Sequence, residues 1–149
     1  RNLSHKLGLT GKITWKGAQS QKGVFEAYEN SDLFIMPSII ATDGDRDGLP
    51  NVLMEAASKK VCCIATDLPG ITEFIRHDDT GWIVPSKNSR ELTRSIISLY
   101  QDPAKRVRLA ESANKLLVRH FSHAENVQYI IGLLKSDLDT NEDVIQDSI

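Results

Sequence analysis

Two short runs of apolar residues, 33–36 and 61–65, constrain the fold of this 149-residue chain more than any other feature. A strand that is covered on both faces of a sheet shows no polar alternation, and such strands are typical of parallel sheets. Between the two runs lies a segment with helical spacing that begins at Pro50 and ends near Ser58. Parallel neighbours need a crossover of this kind, which is nearly always right-handed. The order of segments therefore predicts an α/β fold built on a parallel sheet.

The rest of the chain continues the alternation of strands and helices. Short apolar runs at residues 13–15 and 82–84 bring the expected strands to four. Helices are predicted over residues 21–30 and 71–76, and in three late segments that begin near Ser89, Pro103 and Ser122. Residues 1–136 are expected to form one partial domain, and residues 137–149 an acidic, frayed tail.

The first residues look like the end of an amphipathic helix. Leu3, Leu7 and Leu9 supply its apolar positions, and Gly11 is a suitable stop. The beginning of such a helix is not in the sequence, so we expect the chain to be a fragment of a larger protein.

Composition excludes several function classes. The net charge of −2 argues against nucleic-acid binding, which usually leaves a basic footprint. No apolar run approaches the roughly 20 residues that span a bilayer. Cys62 and Cys63 are neighbours in a predicted strand and should point to opposite faces, so we expect free thiols and a reducing compartment.

The segment around Pro50 carries the clearest chemical signal. A loop of about a dozen residues leads from a buried strand to this helix entrance, where Asn51 and Val52 offer N–H groups to an anion such as a diphosphate. Glu55 lies about 7–8 Å further along the helix axis at the standard rise, which suits a carboxylate that accepts two vicinal ribose hydroxyls. Asp47 precedes the turn, on the side where a transferred sugar would lie. The spacing permits a nucleotide-sugar along the helix entrance.

The run from Asp47 to Ala56 resembles the signature of the family-4 retaining glycosyltransferases, in which two Glu residues are separated by seven others. Other segments agree with that family in the same order, namely residues 13–17, 31–38, 65–73, 80–85 and 120–122. The resemblance covers about residues 3–134. It implies an incomplete, Rossmann-like, nucleotide-sugar-binding C-terminal half of a GT-B fold.

The resemblance also implies roles for individual residues. Glu55 would bind the ribose hydroxyls, and Asp47 would hold the catalytic position beside the donor sugar. The turn around sugar and diphosphate would be formed by Gly48, Leu49, Pro50 and Asn51. Asp47 is one methylene shorter than the usual Glu. The Arg and Lys that clamp the diphosphate in such enzymes have no match in this chain.

Two other charged segments are candidate sites. The run Asp43-Gly44-Asp45 could hold a divalent cation, but it suits a turn better, and no metal is expected. The basic residues Lys105, Arg106 and Arg108 could replace the phosphate clamp, but a solvated helix face is favoured.

The resemblance thus predicts a retaining glycosyltransferase whose donor site this chain supplies in part. The alternatives are a nucleotide-sugar epimerase and a non-catalytic GT-B binding subunit. The nucleotide-sugar is a substrate, so no cofactor is expected. The acceptor and the oligomeric state stay open, and the expected location is the cytoplasm, with peripheral attachment to the inner membrane face through the missing N-terminal domain as a further option.

Overall fold

A three-stranded parallel sheet lies at the centre of the structure, a computed structural model that describes residues 2–40 and 48–120. Its strands are β1 (Leu33–Met36), β2 (Cys62–Thr66) and β3 (Trp82–Val84), in the spatial order β1-β2-β3. Leu33 lies opposite Cys62, and Ile64 lies opposite Trp82. The parallel sheet predicted from the apolar runs is confirmed.

Helices precede, connect and follow the strands. They are α1 (Asn2–Lys6), α2 (Gln21–Glu29), α3 (Asn51–Ser58), α4 (Pro69–Thr72), α5 (Ser89–Gln101) and α6 (Pro103–His120). Ser20 caps α2 by accepting a hydrogen bond from the N–H of Gly23, and Asn88 caps α5 in the same way through Glu91. Helix α5 thus begins at Ser89, as predicted, and Asn88 is its cap residue.

The central strand β2 divides the core into two clusters. All five of its residues are buried, and alternate side chains point to opposite faces of the sheet. Cys63 and Ala65 pack with Leu53 of α3 on one face, whereas Cys62 and Ile64 pack with residues of α5 and α6 on the other. Both thiols are buried and free, as expected. Because both faces are covered, the apolar run of β2 needs no polar alternation.

The strand predicted at residues 13–15 is wrong. Ile13 forms only an isolated bridge to Thr10, and Trp15 is 54% exposed. A short strand is stable only beside a partner, and no strand lies beside this segment among the described residues. Sheet formation depends on that partner, which the local apolar pattern cannot reveal.

Several predicted boundaries are also corrected. Helix α1 ends at Lys6, before the expected stop at Gly11, because the chain turns at Gly8 with a positive φ of 66°. The helix expected over residues 71–76 is the shorter α4, which begins at Pro69. The predicted helix from Ser122 and the tail lie outside the described residues. Within residues 2–40 and 48–120, none of the helices has the length and apolarity needed to cross a bilayer.

Candidate functional site

The carboxyl ends of the three strands are joined by side-chain hydrogen bonds. The hydroxyl of Thr66, at the end of β2, donates to the carbonyl of Ser38 after β1 at 2.8 Å. The next residue, Asp67, accepts the backbone N–H of Ser86 at 2.7 Å and donates its own N–H to the carbonyl of Val84 at 3.1 Å. The loops that follow β1, β2 and β3 are thus fixed to one another. Ligands of open α/β sheets bind at this edge.

A cavity of about 210 Å³ opens at the same edge. Its walls come from the ends of the strands and the start of α5, and they are Pro37, Ile39, Thr66, Val84, Pro85, Lys87, Asn88, Ser89 and Leu92. Apolar walls with a few polar groups are typical of a small-molecule pocket.

Helix α3 begins beside this edge without a side-chain cap. Pro50 occupies the N-cap position with an extended backbone (φ −72°, ψ 127°), one residue before the position predicted from the sequence. Its carbonyl accepts the N–H of Leu53 at 3.0 Å. An entrance of this kind directs backbone N–H groups and partial positive charge outward, which favours an anion.

The turn before α3 rests on the start of α4. A Cβ atom added to Gly70 would lie 2.3 Å from the carbonyl oxygen of Gly48, closer than any side chain allows. Only glycine therefore permits this approach of two backbones. The contact brings the loop before α3 and the loop after β2 to one place at the carboxyl edge.

Glu55 lies half-buried in α3 and contacts a buried tyrosine. The hydroxyl of Tyr28, on α2, is 3.4 Å from Oε2 of Glu55 and 3.3 Å from the carbonyl oxygen of Val52. Burial, and then the neighbouring carboxylate of Glu55, raise the pKa of Tyr28 to about 12. The phenol therefore stays protonated at physiological pH and serves as a hydrogen-bond donor.

The structure groups most of the residues that the sequence predicted for the donor site. Gly48, Leu49 and Pro50 form the turn that enters α3, and Asn51 and Glu55 lie on its first two turns. Leu49 packs against the core, and Asn51 is exposed. Asp47, predicted as catalytic, lies outside the described residues, as does the run Asp43-Gly44-Asp45. The functional roles of all these residues stay predictions.

Sequence reasoning missed two features of this site. Tyr28 lies in the helix predicted over residues 21–30, and the signal that could have found it is that a buried tyrosine usually needs a partner for its hydroxyl. Gly70 follows Pro69, a pair that is typical of an ordinary turn. Its contact with Gly48 joins segments more than twenty positions apart, and no local pattern signals such a contact.

The basic cluster of α6 lies at the surface of the domain, where Arg108 is exposed, and its cations pair with exposed acids. Arg106 pairs with Asp32 at 3.2 Å, and Lys105 pairs with Asp78 at 3.2 Å. Arg108 also binds Asp78, through its carboxylate and its carbonyl. These cations neutralise acids of the domain itself, so they do not replace a phosphate clamp. Among residues 2–40 and 48–120, no group of three or more His, Cys, Asp or Glu side chains is arranged to hold a metal ion.

A parallel sheet whose carboxyl edge meets an anion-ready helix entrance defines the class of nucleotide-binding α/β domains. Comparison with known proteins assigns the chain to a family. The sequence model described as "Glycosyl transferases group 1" matches residues 1–116, and the chain belongs to this family.

Individual relatives agree with the family. WcaL of Escherichia coli K12, assigned to the glycosyltransferases of colanic acid biosynthesis, is 30% identical over 101 residues, which cover 68% of this chain and 25% of WcaL. The amylovoran biosynthesis glycosyltransferase AmsK of Erwinia amylovora is 32% identical over 88 residues, which cover 59% of this chain and 22% of AmsK.

Solved structures confirm the GT-B type of fold. HepE of Anabaena, determined with UDP, superposes with a TM-score of 0.81 at 21% identity over 91% of this chain and 35% of HepE. The same protein has been determined with UDP-glucose. The chain thus spans between 22% and 35% of the length of these three proteins.

Proposed function

We propose that this chain forms the donor-binding part of a retaining glycosyltransferase that moves a sugar from a nucleotide-sugar to a glycan, lipid or other acceptor. The observation that carries the proposal is the placement of Glu55. It lies half-buried in the second turn of a helix whose uncapped entrance meets the carboxyl edge of the sheet. A diphosphate at the entrance would set the ribose hydroxyls within reach of this carboxylate.

The proposed chemistry uses the donor's own phosphate as the base. The acceptor hydroxyl oxygen bonds to the anomeric carbon while the bond from that carbon to the phosphate oxygen breaks. The acceptor proton passes to the departing diphosphate on the same face, so the anomeric configuration is retained. Backbone N–H groups at the entrance of α3 stabilise the negative charge of the diphosphate, as preorganised dipoles do. Asp47 is proposed to act beside the donor sugar.

The relatives support a nucleotide-sugar as the donor and a glycan as the acceptor. HepE was determined with UDP and with UDP-glucose, which supports a nucleotide-sugar donor. The names of WcaL and AmsK refer to the biosynthesis of colanic acid and of amylovoran, which supports a glycan as the acceptor. We propose that the reaction takes place in the cytoplasm, with attachment to the inner membrane face as the alternative.

Replacement of Glu55 tests the donor site. In the full-length protein that carries this chain, Glu55→Gln should raise the donor KM about tenfold to a hundredfold and lower kcat much less. Hydrogen bonds to a charged group contribute roughly 1.5–3 kcal/mol each, and ribose binding is shared by ground state and transition state. The measurement is steady-state turnover with a panel of UDP-, GDP- and ADP-sugars, followed by mass spectrometry. Glu111→Gln, an exposed carboxylate on α6, is the matched control.

The outcomes separate the proposal from its alternatives. A product with the donor's anomeric configuration, seen by NMR, supports retention, and an inverted product contradicts it. Binding of a nucleotide-sugar without turnover on any acceptor would favour a non-catalytic GT-B subunit. Conversion of the donor into its epimer, with no acceptor present, would favour an epimerase. A Glu55→Gln variant with the kinetics of wild type would refute the site.

A further inference from the structure

We propose that Tyr28 is a positioning residue of the donor site, whose hydroxyl orients the carboxylate of Glu55 for the ribose. The inference rests on the proposed function of Glu55. It adds a residue from a different helix, and its evidence is the geometry between α2 and α3.

Tyr28 is the one buried residue of α2, with 6% of its surface exposed. Its ring packs edge-on against Phe34 of β1, with the ring centres 5.4 Å apart, and lies 6.4 Å from the ring of Phe25. A ring held on two sides has little freedom to rotate. The hydroxyl therefore has a fixed position at the surface of α3.

The hydroxyl has one proton and two acceptors within reach. The oxygen lies 3.3 Å from the carbonyl oxygen of Val52 and 3.4 Å from Oε2 of Glu55, and both distances exceed the usual 2.7–2.8 Å of an O–H···O bond. The hydroxyl therefore faces both the backbone of α3 and the carboxylate, and neither acceptor alone holds its proton in a short bond. Because burial and Glu55 raise the pKa of Tyr28 to about 12, the hydroxyl donates throughout the working pH range.

A hydrogen-bond donor with a fixed position can order a flexible side chain such as that of Glu55. A free glutamate side chain loses rotamer entropy when it is held, and a binding site that must order it loses affinity. Tyr28 restricts one oxygen of Glu55 before the ligand arrives. Removal of the hydroxyl should leave the carboxylate in place but less ordered, and should weaken contact with the ribose hydroxyls.

A second contact between the same helices provides the control. Lys59, at the end of α3, pairs with Glu29 of α2 at 2.6 Å and lies 5.0 Å from the ring centre of Phe25. These contacts hold α2 against α3 about one helical turn beyond Glu55 and do not involve its carboxylate. If Tyr28 served only to dock the helices, Lys59→Met would affect binding in the same way as Tyr28→Phe.

The test compares variants of the full-length protein by calorimetry. UDP, GDP and ADP are titrated first, and the tightest binder is then compared with its 2′,3′-dideoxy analogue. The proteins are wild type, Tyr28→Phe, Glu55→Gln, the double variant and Lys59→Met. Phe preserves the ring and its packing and removes only the hydroxyl.

We expect Tyr28→Phe to weaken the ribonucleotide threefold to tenfold and to leave the dideoxy analogue unchanged. In the Glu55→Gln background the same substitution should change Kd by less than twofold, because the group it orients is gone. Lys59→Met should lower Tm without changing Kd.

The results distinguish failure of the positioning role from failure of the proposed function. If Glu55→Gln weakens binding but Tyr28→Phe has no effect, or weakens both nucleotides equally, the positioning role is refuted and the donor site stands. If none of the three nucleotides binds, or Glu55→Gln binds as wild type does, the proposed function fails and the role of Tyr28 fails with it.

Discussion

At the scale of single residues, Asp78 shows how tertiary contacts change a surface acid. It lies in the turn before β3 with a positive φ of 57°, and it binds both Arg108 and Lys105 of α6. Hydrogen bonds from Arg108 and then Lys105 hold the pKa of Asp78 below its ordinary value of 3.8. Lys105 also lies 4.1 Å from the ring centre of Trp82 in β3. Lys105 thus connects α6 both to Asp78 and to β3.

We predict that Asp78→Asn lowers Tm by no more than a few degrees at neutral pH, since exposed ion pairs contribute little. Asn keeps the left-handed backbone accessible and removes only the charge. A carboxylate with a lowered pKa stabilises the fold above its unfolded pKa and loses that effect as pH falls through the folded pKa. The difference in Tm between wild type and Asp78→Asn should therefore be constant from pH 8 to pH 5 and shrink toward pH 3.

Thermal melts across that pH range in the full-length protein provide the measurement. Glu111→Gln is again the matched control, because it removes an exposed charge from the same helix. A Tm difference that grows on acidification would show that the ion pairs with α6 are not its source.

At the scale of elements, strands with two covered faces could be read from the sequence, whereas elements that depend on a distant partner could not. Strand β2 packs on both faces, so its sequence is apolar from Cys62 to Ala65, and the run predicted at 61–65 locates it to within one residue. Residues 13–15 have a similar local pattern but no neighbouring strand among the described residues, and they form only a bridge. Pairing is a non-local property.

The residues of the candidate site also divide into those predicted by a local pattern and those that depend on distant contacts. Gly48 to Asn51 and Glu55 follow one another in sequence, so a single motif predicted all of them. The hydroxyl of Tyr28 and the close approach of Gly70 to Gly48 arise only when separate elements pack together. The sequence therefore predicts candidate ligand contacts within one motif, and the structure adds the contacts that hold this motif in place.

The contact between α4 and the turn before α3 yields a prediction at this scale. In Gly70→Ala the new methyl group would lie 2.3 Å from the carbonyl oxygen of Gly48, so the turn or α4 must move. Overpacking of this kind costs roughly 1–3 kcal/mol. We expect a lower Tm and weaker nucleotide binding, measured by calorimetry on the full-length protein.

Gly23→Ala is the matched control. Gly23 lies in α2, where an added Cβ would lie 3.1 Å from the flexible end of Gln19 and in ordinary contact, at 3.6 Å, with Oγ of Ser20. Alanine is favoured over glycine inside a helix by roughly 0.5–1 kcal/mol, so this variant should keep or raise Tm. Equal Tm and Kd values for Gly70→Ala and wild type would contradict the proposed contact.

At the scale of the whole molecule, one edge of the sheet determines how the chain behaves alone. Among the described residues β1 pairs only with β2, and all four of its residues are just half-buried. Large apolar side chains before it are exposed, including Leu3 at 68% and Leu7 at 62%. Unpaired edges and exposed apolar surface promote association between chains.

We therefore predict that the 149-residue chain, produced alone, self-associates as its concentration rises and melts over a broad temperature range. The full-length protein should melt cooperatively and remain dispersed, because a longer chain can cover the edge of β1. Sedimentation velocity over a concentration series, with calorimetry on the same samples, measures both properties. Nucleoside diphosphates should also bind the isolated chain far more weakly than the full-length protein. The family resemblance implies an Arg and a Lys that clamp the diphosphate, and these two residues have no match in the 149-residue chain. A monomer at all concentrations with a single sharp transition would show that β1 needs no further partner, and the fold would then be self-sufficient over these residues.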